Sequence, residues 1–327
     1  MKILVTGGAG YIGSQTNLFL LENGFETVVF DNLVYGHLTN IPQNAKCQFV
    51  QGDLLNLTQL EEVFAKNKID AVIHFAAFAY VGESVENPAK YYQNNVLGSF
   101  NLLETMRKFG CQKLVFSSTC ATYGTPEILP ITENEKQKPI NPYGWSKLMI
   151  EQMIKDYHHA YGLNAVVFRY FNAAGADRHL RTGEEHNPET HLIPLILEVA
   201  SGKRDQIMIF GDDYETPDGT CIRDYIHTED LASAHFLGVK KLETEKVCEF
   251  VNLASGNGYS VREIIQTVEK VTGITIKTKI APRREGDPAM LIADNSKARD
   301  FLGWNPINSN LENIIQTAWN WEQKKQS

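Results

Sequence analysis

Six short apolar runs, rich in Val, Ile and Phe, recur through the first half of this 327-residue chain. They lie at 2–6, 27–31, 47–53, 71–77, 113–119 and 165–172. Runs that stay apolar without alternation are typical of strands buried on both faces of a parallel sheet, and the longer segments between them suit crossover helices. The pattern therefore predicts a doubly wound, Rossmann-type α/β fold.

The pattern changes after residue 172. Loops rich in Gly, Pro and Asp follow, with strand-like runs at 207–210 and 248–253. Ser260 and Glu263 have the spacing of a capping box at the start of a helix. We predict two domains, a Rossmann-type domain over 1–172 and a smaller α/β domain over 173–327, with some crossing of the chain between them.

Composition excludes several classes of protein. The net charge is -8, and no segment is dense in Lys and Arg, so nucleic acid is not expected as a partner. The five cysteines are scattered and form no C-x-x-C pair, which indicates reduced thiols. With neither a signal-peptide pattern nor an apolar run long enough for a membrane span, we expect a cytoplasmic protein without a membrane partner.

A glycine-rich loop joins the first predicted strand to a helix. Gly7 permits a tight turn, Gly10 allows the backbone to approach a pyrophosphate, and Gly13 permits close packing of the helix. Tyr11 and Ile12 complete the loop, and the phosphates of a dinucleotide would lie on the amides at the start of the helix.

Acidic residues follow at the ends of the next two strands. Asp31 stands where a carboxylate accepts hydrogen bonds from the adenosine ribose and repels a 2′-phosphate, so we predict NAD rather than NADP. The alternative is an Asp that only starts a turn. Asn32 is assigned to the same site, and Asp53 and Leu54 are placed against the adenine.

The stretch NPYGWSK begins a further helix pattern directly after the strand that ends in Ser117, Ser118 and Thr119. Asn141 suits the N-cap and Pro142 the first helical position. Tyr143 and Lys147 are four residues apart and therefore share one face of the helix. By itself a Tyr-x-x-x-Lys pattern is most often structural, so the surrounding motifs must decide its meaning.

Together, the glycine loop, Asp31, the FAA run at 75–77, SSTCATYG and YGWSK resemble the extended short-chain dehydrogenase/reductase family. The downstream motifs RYFNAAGA, HLIP, IFGDDYETPDGTCIRDYIH and APRREGD are similar to those of its UDP-sugar 4-epimerases across essentially the whole chain. This resemblance implies interconversion of UDP-glucose and UDP-galactose by inversion of carbon 4, through a 4-keto intermediate and a tightly held NAD.

The resemblance also implies the catalytic roles. Tyr143 is the base, and because free tyrosine has a pKa of about 10, positive charge from Lys147 must stabilise its phenolate. Thr119 shares the hydrogen bond to the sugar hydroxyl. The remaining residues implied near the cofactor are Phe75, Ala76, Ala77, Asn94 and Phe171.

Substrate contacts are implied in the second domain. The protein must bind the nucleotide part of the substrate firmly, so that the sugar part is free to rotate. Asn172, Arg223 and Arg284 are placed around the diphosphate, and Asp287 on a uridine ribose hydroxyl. Each arginine could equally form a surface ion pair. The uridine is expected against Leu192, Met208, Ile209 and Phe210.

Three positions depart from related patterns. Dehydratases of this family carry an Asp-Glu pair after the threonine, where this chain has Cys120 and Ala121, which favours inversion without elimination. Some epimerases carry a lysine where this chain has Ala79, so Tyr80 to Gly82 would supply contacts instead. The residue that governs sugar size falls on Leu291, or on Met290 if the register slips by one, which leaves N-acetylhexosamine and uronic acid substrates open.

Two further features bear on partners. Glu184, Glu185, His186, Glu189 and His191 are of metal-ligand type, but without regular spacing in a loop we predict no metal. The apolar stripes at 95–106 and 148–161 suit packing on the sheet, and the resemblance adds a homodimer built from these two helices. The rival class, a non-catalytic NAD-binding protein, need not retain Thr119, Tyr143 and Lys147 together.

Overall fold

A computed structural model of the protein describes residues 1–284 and 286–326. Strands β1 to β13 within that range are Lys2–Thr6, Glu26–Asp31, Cys47–Gln51, Ala71–His74, Lys113–Thr119, Asn164–Tyr170, Asn172–Ala174, Ile207–Phe210, Ile222–His227, Cys248–Leu253, Gly258–Ser260, Thr278–Ala281 and Met290–Leu291. Helices α1 to α11 are Tyr11–Glu22, Leu57–Lys66, Val81–Glu86, Pro88–Tyr91, Gly98–Lys108, Pro142–Tyr161, Leu192–Ala200, Thr228–Thr244, Val261–Thr272, Ser296–Leu302 and Leu311–Lys324. A π-helical turn, Tyr92–Leu97, joins α4 to α5, and a 3₁₀ turn, Cys120–Thr122, follows β5.

A seven-stranded sheet forms the centre of the molecule, in the order β10-β6-β5-β4-β1-β2-β3, with all pairs parallel. The predicted Rossmann-type fold is confirmed, and each of the six apolar runs forms one of the strands β1 to β6. The strand order reverses between β1 and β4. Ligands of such sheets bind outside the carboxyl ends of the strands at this reversal.

Both faces of the sheet are covered, as the continuous apolar runs require. Within β1, Leu4 packs on one side with Leu102 and Ile150, from α5 and α6. Ile3 and Val5 point to the other side, where α1 and α8 pack. Side chains point alternately to the two faces of the sheet, and helices cover both faces. The strands therefore have no side that faces solvent, and their sequences do not alternate between apolar and polar residues.

The run at 248–253 forms a strand whose position in the fold the sequence did not predict. It forms β10 and pairs along its length with β6 at the edge of the large sheet, although it follows residue 172 by a long stretch of chain. Val251 and Leu253 are fully buried there. The large sheet is therefore completed by a strand from the second half of the chain.

Other segments of the second half build a smaller assembly. Strands β7, β9, β11 and β13 form one sheet, and β8 pairs with β12. Helices α7, α9 and α11 pack together around Ile196, Ile264 and Ile314, which are completely buried. The capping box that the sequence predicts at Ser260 is present at the start of α9.

No helix in the described part of the chain combines the length and apolar character that crossing a membrane requires.

Candidate active site

The loop between β1 and α1 packs so closely on neighbouring backbone that two of its positions admit only glycine. At Gly7, whose φ is +71°, an added Cβ would lie 2.6 Å from the amide nitrogen of Ala76. At Gly13 it would lie 2.2 Å from the carbonyl oxygen of Gly7. Gly10 is the N-cap of α1 and provides no side-chain cap, so the amides of Tyr11 and the next residues stay open to an anion.

Asp31 lies at the end of β2, beside this loop. Its carboxylate accepts hydrogen bonds from the Ala9 amide at 2.9 Å and the Leu33 amide at 2.8 Å, which holds the group still. Burial raises the pKa of Asp31, and these two bonds oppose the shift. Because each carboxylate oxygen can accept a second hydrogen bond, the group can still receive ribose hydroxyls.

The predicted adenine side adjoins Asp31. The Asn32 side chain donates to Asp53 at 2.9 Å, so these two strand ends are tied together. Leu54 is buried against Gly98 at the start of α5. The predicted residues of this edge thus come together, with Ile12 partly exposed on the first turn of α1.

The end of β4 lies beside the glycine loop. The amides of Phe75 and Ala76 donate to Thr6, and both residues, with Ala77, are partly exposed. Asn95 anchors the following loop, because its side chain bonds both backbone groups of Phe78 at 2.9 and 3.0 Å.

Asn95 also reaches Ser146 at 3.1 Å, whereas the predicted neighbour Asn94 donates to Asn95 itself. Both asparagines lie in the π-helical turn, a feature that is frequent at functional sites. Nothing in the local sequence distinguishes the anchoring Asn95 from Asn94.

Tyr143 is brought to Thr119 by the start of α6. Asn141 caps the helix by accepting the Gly144 amide at 2.8 Å, and Pro142 occupies the first turn. An added Cβ on Gly144 would lie 2.6 Å from the Ala121 carbonyl, so this glycine lets α6 pack closely on the turn after β5. Burial raises the pKa of Tyr143, and a hydrogen bond with the Thr119 hydroxyl opposes the rise.

Lys147 lies one helical turn further on and is only 3% exposed. Its ammonium donates to the Ser117 carbonyl at 2.8 Å and lies 4.9 Å from the centre of the Phe116 ring. Burial lowers the pKa of Lys147 to about 7, against the opposing charge of Glu151. The group is therefore poised to hold or release a proton near neutral pH.

A buried ionic network fixes the helix that carries both residues. Glu151, fully buried, accepts from Ser118 at 2.6 Å and from two nitrogens of Arg169 at 3.0 and 2.7 Å. Arg169 also donates to Tyr123 at 3.0 Å, and Tyr123 donates to Asn252 of β10 at 2.7 Å. The network joins β5, β6, β10 and α6, and it was not predicted from the sequence; its one local signal is the i, i+4 spacing of Lys147 and Glu151.

The predicted diphosphate residues lie in the second half of the chain, on strands β7 and β9 of the small sheet and in the segment between β12 and β13. Asn172 donates to the Asp224 carbonyl at 3.0 Å. Arg223 pairs with Asp287 at 3.0 Å, and the exposed Arg284 guanidinium lies 4.0 Å from the centre of the Phe210 ring. Arg223 and Asp287, which the sequence places far apart, therefore meet directly.

The side chains of β8, the strand predicted to bind uridine, differ in their exposure. Met208 and Phe210 are partly exposed, whereas Ile209 is buried in the core with α7 and α9, so Ile209 can offer a ligand only its backbone. Leu192 is the first residue of α7 and is partly exposed.

Leu291 packs beside the turn that follows β5. It contacts a small apolar cluster that contains Cys120 and the buried Phe171. It pairs with Arg223 in the small sheet, whereas Met290 pairs with Ile222. Of the two sequence candidates for the size-determining position, Leu291 is the one that adjoins this cluster.

Comparisons with known proteins agree with this geometry. The family model described as GDP-mannose 4,6 dehydratase matches residues 4–317. A UDP-glucose 4-epimerase of Halalkalibacterium halodurans is 51% identical over 324 residues, which cover 99% of this chain and 96% of the relative.

Two solved structures extend the likeness to the fold. The UDP-glucose 4-epimerase of Brucella ovis in complex with NAD has a TM-score of 0.95 and 51% identity, covering 98% of this chain and 97% of that one. The UDP-glucose 4-epimerase of Bifidobacterium longum in complex with NAD+ and UDP has a TM-score of 0.94 and 39% identity, covering 100% and 99%. The chain therefore belongs to the extended short-chain dehydrogenase/reductase family, and within it to the UDP-glucose 4-epimerases.

Proposed function

We propose that this protein inverts carbon 4 of UDP-hexoses and so interconverts UDP-glucose and UDP-galactose, using bound NAD. The observation that carries the proposal is the close packing of the start of α6, which carries Tyr143 and the buried Lys147, on the turn after β5, where Thr119 lies. This packing lies two strands from β1, beside the reversal of the strand order. A non-catalytic NAD-binding protein would have no use for this arrangement.

NAD fits the cleft on the evidence of the chain's own residues. Gly7 and Gly13 exclude side chains, α1 presents an uncapped N-terminus, and Asp31 keeps free lone pairs beside them. When bound, NAD supplies a hydride acceptor for the hydrogen on carbon 4 and returns that hydride. Phe75 to Ala77, Asn94 and Phe171 are assigned to contacts with the cofactor.

The chain's own residues handle the proton. Tyr143 takes the proton from the 4-hydroxyl as the hydride leaves carbon 4, which converts that carbon to a ketone. Thr119 shares the hydrogen bond to the same oxygen, and the positive charge of Lys147 stabilises the phenolate. Tyr143 returns the proton when hydride is added to the other face of the ketone, so atoms and charge balance over one turnover.

The residues after Thr119 favour inversion over elimination of water. Ala121 has no ionisable group, and burial raises the pKa of the Cys120 thiol to about 11. Neither can serve as the acid or base that elimination needs near neutral pH. The chain therefore differs in chemistry from the dehydratases whose family model it matches.

The sugar can rotate within the site only if most of the binding energy comes from contacts with the nucleotide. We assign Asn172, Arg223 and Arg284 to the diphosphate and Asp287 to a uridine ribose hydroxyl. The Arg223–Asp287 pair would then orient both groups before the substrate arrives. Leu192, Met208, Ile209 and Phe210 are assigned to the uridine.

Tyr80 supports a further contact on the diphosphate side. Its hydroxyl is buried and has no hydrogen-bond partner among the residues that the structure describes. A buried polar atom without a partner is costly, and a ligand oxygen would satisfy it. This position is next to Ala79, where some epimerases carry a lysine.

The function is tested with purified protein and no added cofactor. Incubation with UDP-galactose is expected to yield UDP-glucose, because NAD is regenerated in each turnover and stays bound. UDP-N-acetylgalactosamine and UDP-galacturonate are assayed separately, and chromatography identifies the products. Conversion of only one of these two would move the substrate assignment to that sugar, and conversion of none of the three would contradict an epimerase.

A homodimer is proposed from an apolar surface shared by α5, α6 and the π-helical turn. This surface, the α5–α6 patch, is lined by Tyr92, Val96, Leu97, Phe100, Met149 and Met153. Phe100 and Met149 are each 42% exposed, and contiguous apolar surface of this kind marks an interface. Two copies of the pair of helices would cover it by twofold symmetry as a four-helix bundle.

Phe100→Glu is expected to convert the dimer to a monomer, because it would place two carboxylates in an apolar interface. Light scattering coupled to size exclusion measures the mass. Ile307→Glu is the matched control, since Ile307 is exposed far along the chain and outside the patch. A wild-type protein with the mass of one chain would refute the dimer.

The five cysteines are all free thiols, which supports the proposal of a reducing, cytoplasmic location.

A further inference from the structure

Four metal-ligand side chains converge in the loop between β7 and α7. Glu184, His186, Glu189 and His191, which we call the His–Glu cluster, place one ligand atom each within 4.8 Å of one another. The prediction of no metal here rested on irregular spacing along the chain. The fold brings the four residues together regardless of that spacing.

The contacts inside the cluster point to one common centre. Oε1 of Glu184 lies 3.0 Å from Nδ1 of His186 and 2.8 Å from Nδ1 of His191. The same His191 nitrogen lies 2.8 Å from Oε1 of Glu189. One ring nitrogen therefore faces two carboxylates, although it can carry only one hydrogen.

The donor set matches a particular class of cation. Two neutral imidazoles and two carboxylates bring two negative charges, which a divalent ion balances. Zinc bonds nitrogen and oxygen at about 2.0–2.2 Å in a tetrahedron, so its ligand atoms lie roughly 3.3 Å apart. Three contacts of the cluster measure 2.8, 3.0 and 3.8 Å, on either side of that value, and no two ligand atoms are more than 4.8 Å apart. Imidazole nitrogen argues against magnesium or calcium, which prefer oxygen.

The ligands are held in place by a surrounding shell. The backbone carbonyl of Glu184 accepts from the Trp321 indole at 3.2 Å. Oε1 of Glu189 accepts from the amides of Thr190 and His191 at 2.7 and 2.8 Å. The Tyr11 and Tyr80 rings lie edge-on to His186, with centroids 6.1 and 5.9 Å away. Such a shell orients metal ligands in advance.

We propose that the His–Glu cluster is a structural binding site for one zinc-like divalent cation in each chain. Tyr11 begins the helix under the NAD pyrophosphate, and His191 directly precedes Leu192 on the uridine side. The cation would therefore hold the loop in place between the start of α1 and the start of α7. It would not take part in the reaction. The proposal does not depend on the epimerase assignment.

The test uses untagged, full-length protein freed of metal with a chelator. Calorimetric titration with zinc chloride is expected to show one site per chain, with elemental analysis confirming one zinc after gel filtration and an increase in Tm. Glu184→Gln and His186→Gln are each expected to weaken zinc binding by at least about 10–100-fold, the loss that even outer-shell changes cause. His179→Gln, an exposed histidine in the same loop, is the matched control and should bind as the wild type does.

Two results would overturn the proposal. One is a wild-type protein that takes up no zinc, as expected if the groups form only imidazolium–carboxylate pairs. The other is equal binding by the ligand variants and the wild type. Should a variant fail to fold, cobalt substitution in the wild type decides, because cobalt held by this cluster gives the visible absorption of a tetrahedral site, and its absence counts against the site.

Discussion

Tyr143→Phe is expected to lower the rate of epimerisation by about 10²–10⁴-fold, the usual contribution of a general acid–base group. Phenylalanine keeps the ring and its packing against Tyr91, whose centroid lies 6.5 Å away, but it removes the group that accepts the sugar proton. NAD and UDP binding should stay nearly normal, because Gly7, Gly13 and Asp31 are untouched. Initial rates with UDP-galactose, NAD content and calorimetric UDP binding measure the three quantities.

Tyr161→Phe is the control for this experiment. Tyr161 is the last residue of the same helix, is 52% exposed, and lies far from Thr119 along α6. Its variant should keep the wild-type rate. Near-normal turnover of Tyr143→Phe would show that another group is the base.

Lys147→Met is expected to lower turnover by about 10²–10³-fold, comparable to removal of one electrostatic donor from an active site. Methionine fills similar volume but cannot stabilise the Tyr143 phenolate. In the cofactor-free protein, the same change should raise the free energy of unfolding at pH 7. Burial holds the pKa of Lys147 down at about 7, so the unfolded chain binds this proton more tightly than the folded chain does.

The pH dependence of the free energy of unfolding tests the lowered pKa of Lys147 directly. Above pH 7 the folded chain releases the Lys147 proton, whereas the unfolded chain keeps it up to a pKa of about 10.4. Between these two values, the free energy of unfolding of the wild type should therefore rise by up to about 1.4 kcal/mol per pH unit relative to that of Lys147→Met. Below pH 7 the difference in free energy between the two proteins should stay constant. Urea unfolding of both proteins at pH 6, 7 and 9 would show it.

Lys155→Met is the matched control, because Lys155 lies on the same helix and is partly exposed. Its unfolding curve should follow the wild type at each pH. Parallel pH curves for the wild type and Lys147→Met would mean that the lysine keeps its proton throughout the range.

Local spacing in the sequence was sufficient for the parts of the site that lie on one strand or one helix. Gly7, Gly10 and Gly13 sit between a strand and a helix, and Tyr143 and Lys147 share a helical face, so their relations depend on backbone geometry alone. The ends of parallel strands meet at one edge of a sheet, which is why Asp31 and Thr119 lie at the same edge.

Contacts between distant segments could not be predicted in this way. Asn95 and the Glu151–Arg169 pair act through partners 17 and 18 residues away. Neither the residue types nor the periodicity distinguishes them from surface polar residues. The strand at 248–253 was equally ambiguous, because an apolar run shows that a strand is buried and does not show which strand it joins.

By itself, then, the sequence determined the Rossmann-type fold and the strand, glycine loop and helix with which it begins, because short-range geometry follows from residue type and spacing. Only the tertiary structure decided that β10 completes the large sheet, that Arg223 meets Asp287, and that two glutamates and two histidines converge on one point. These contacts depend on how whole elements pack in three dimensions, and separation along the chain carries no record of that packing.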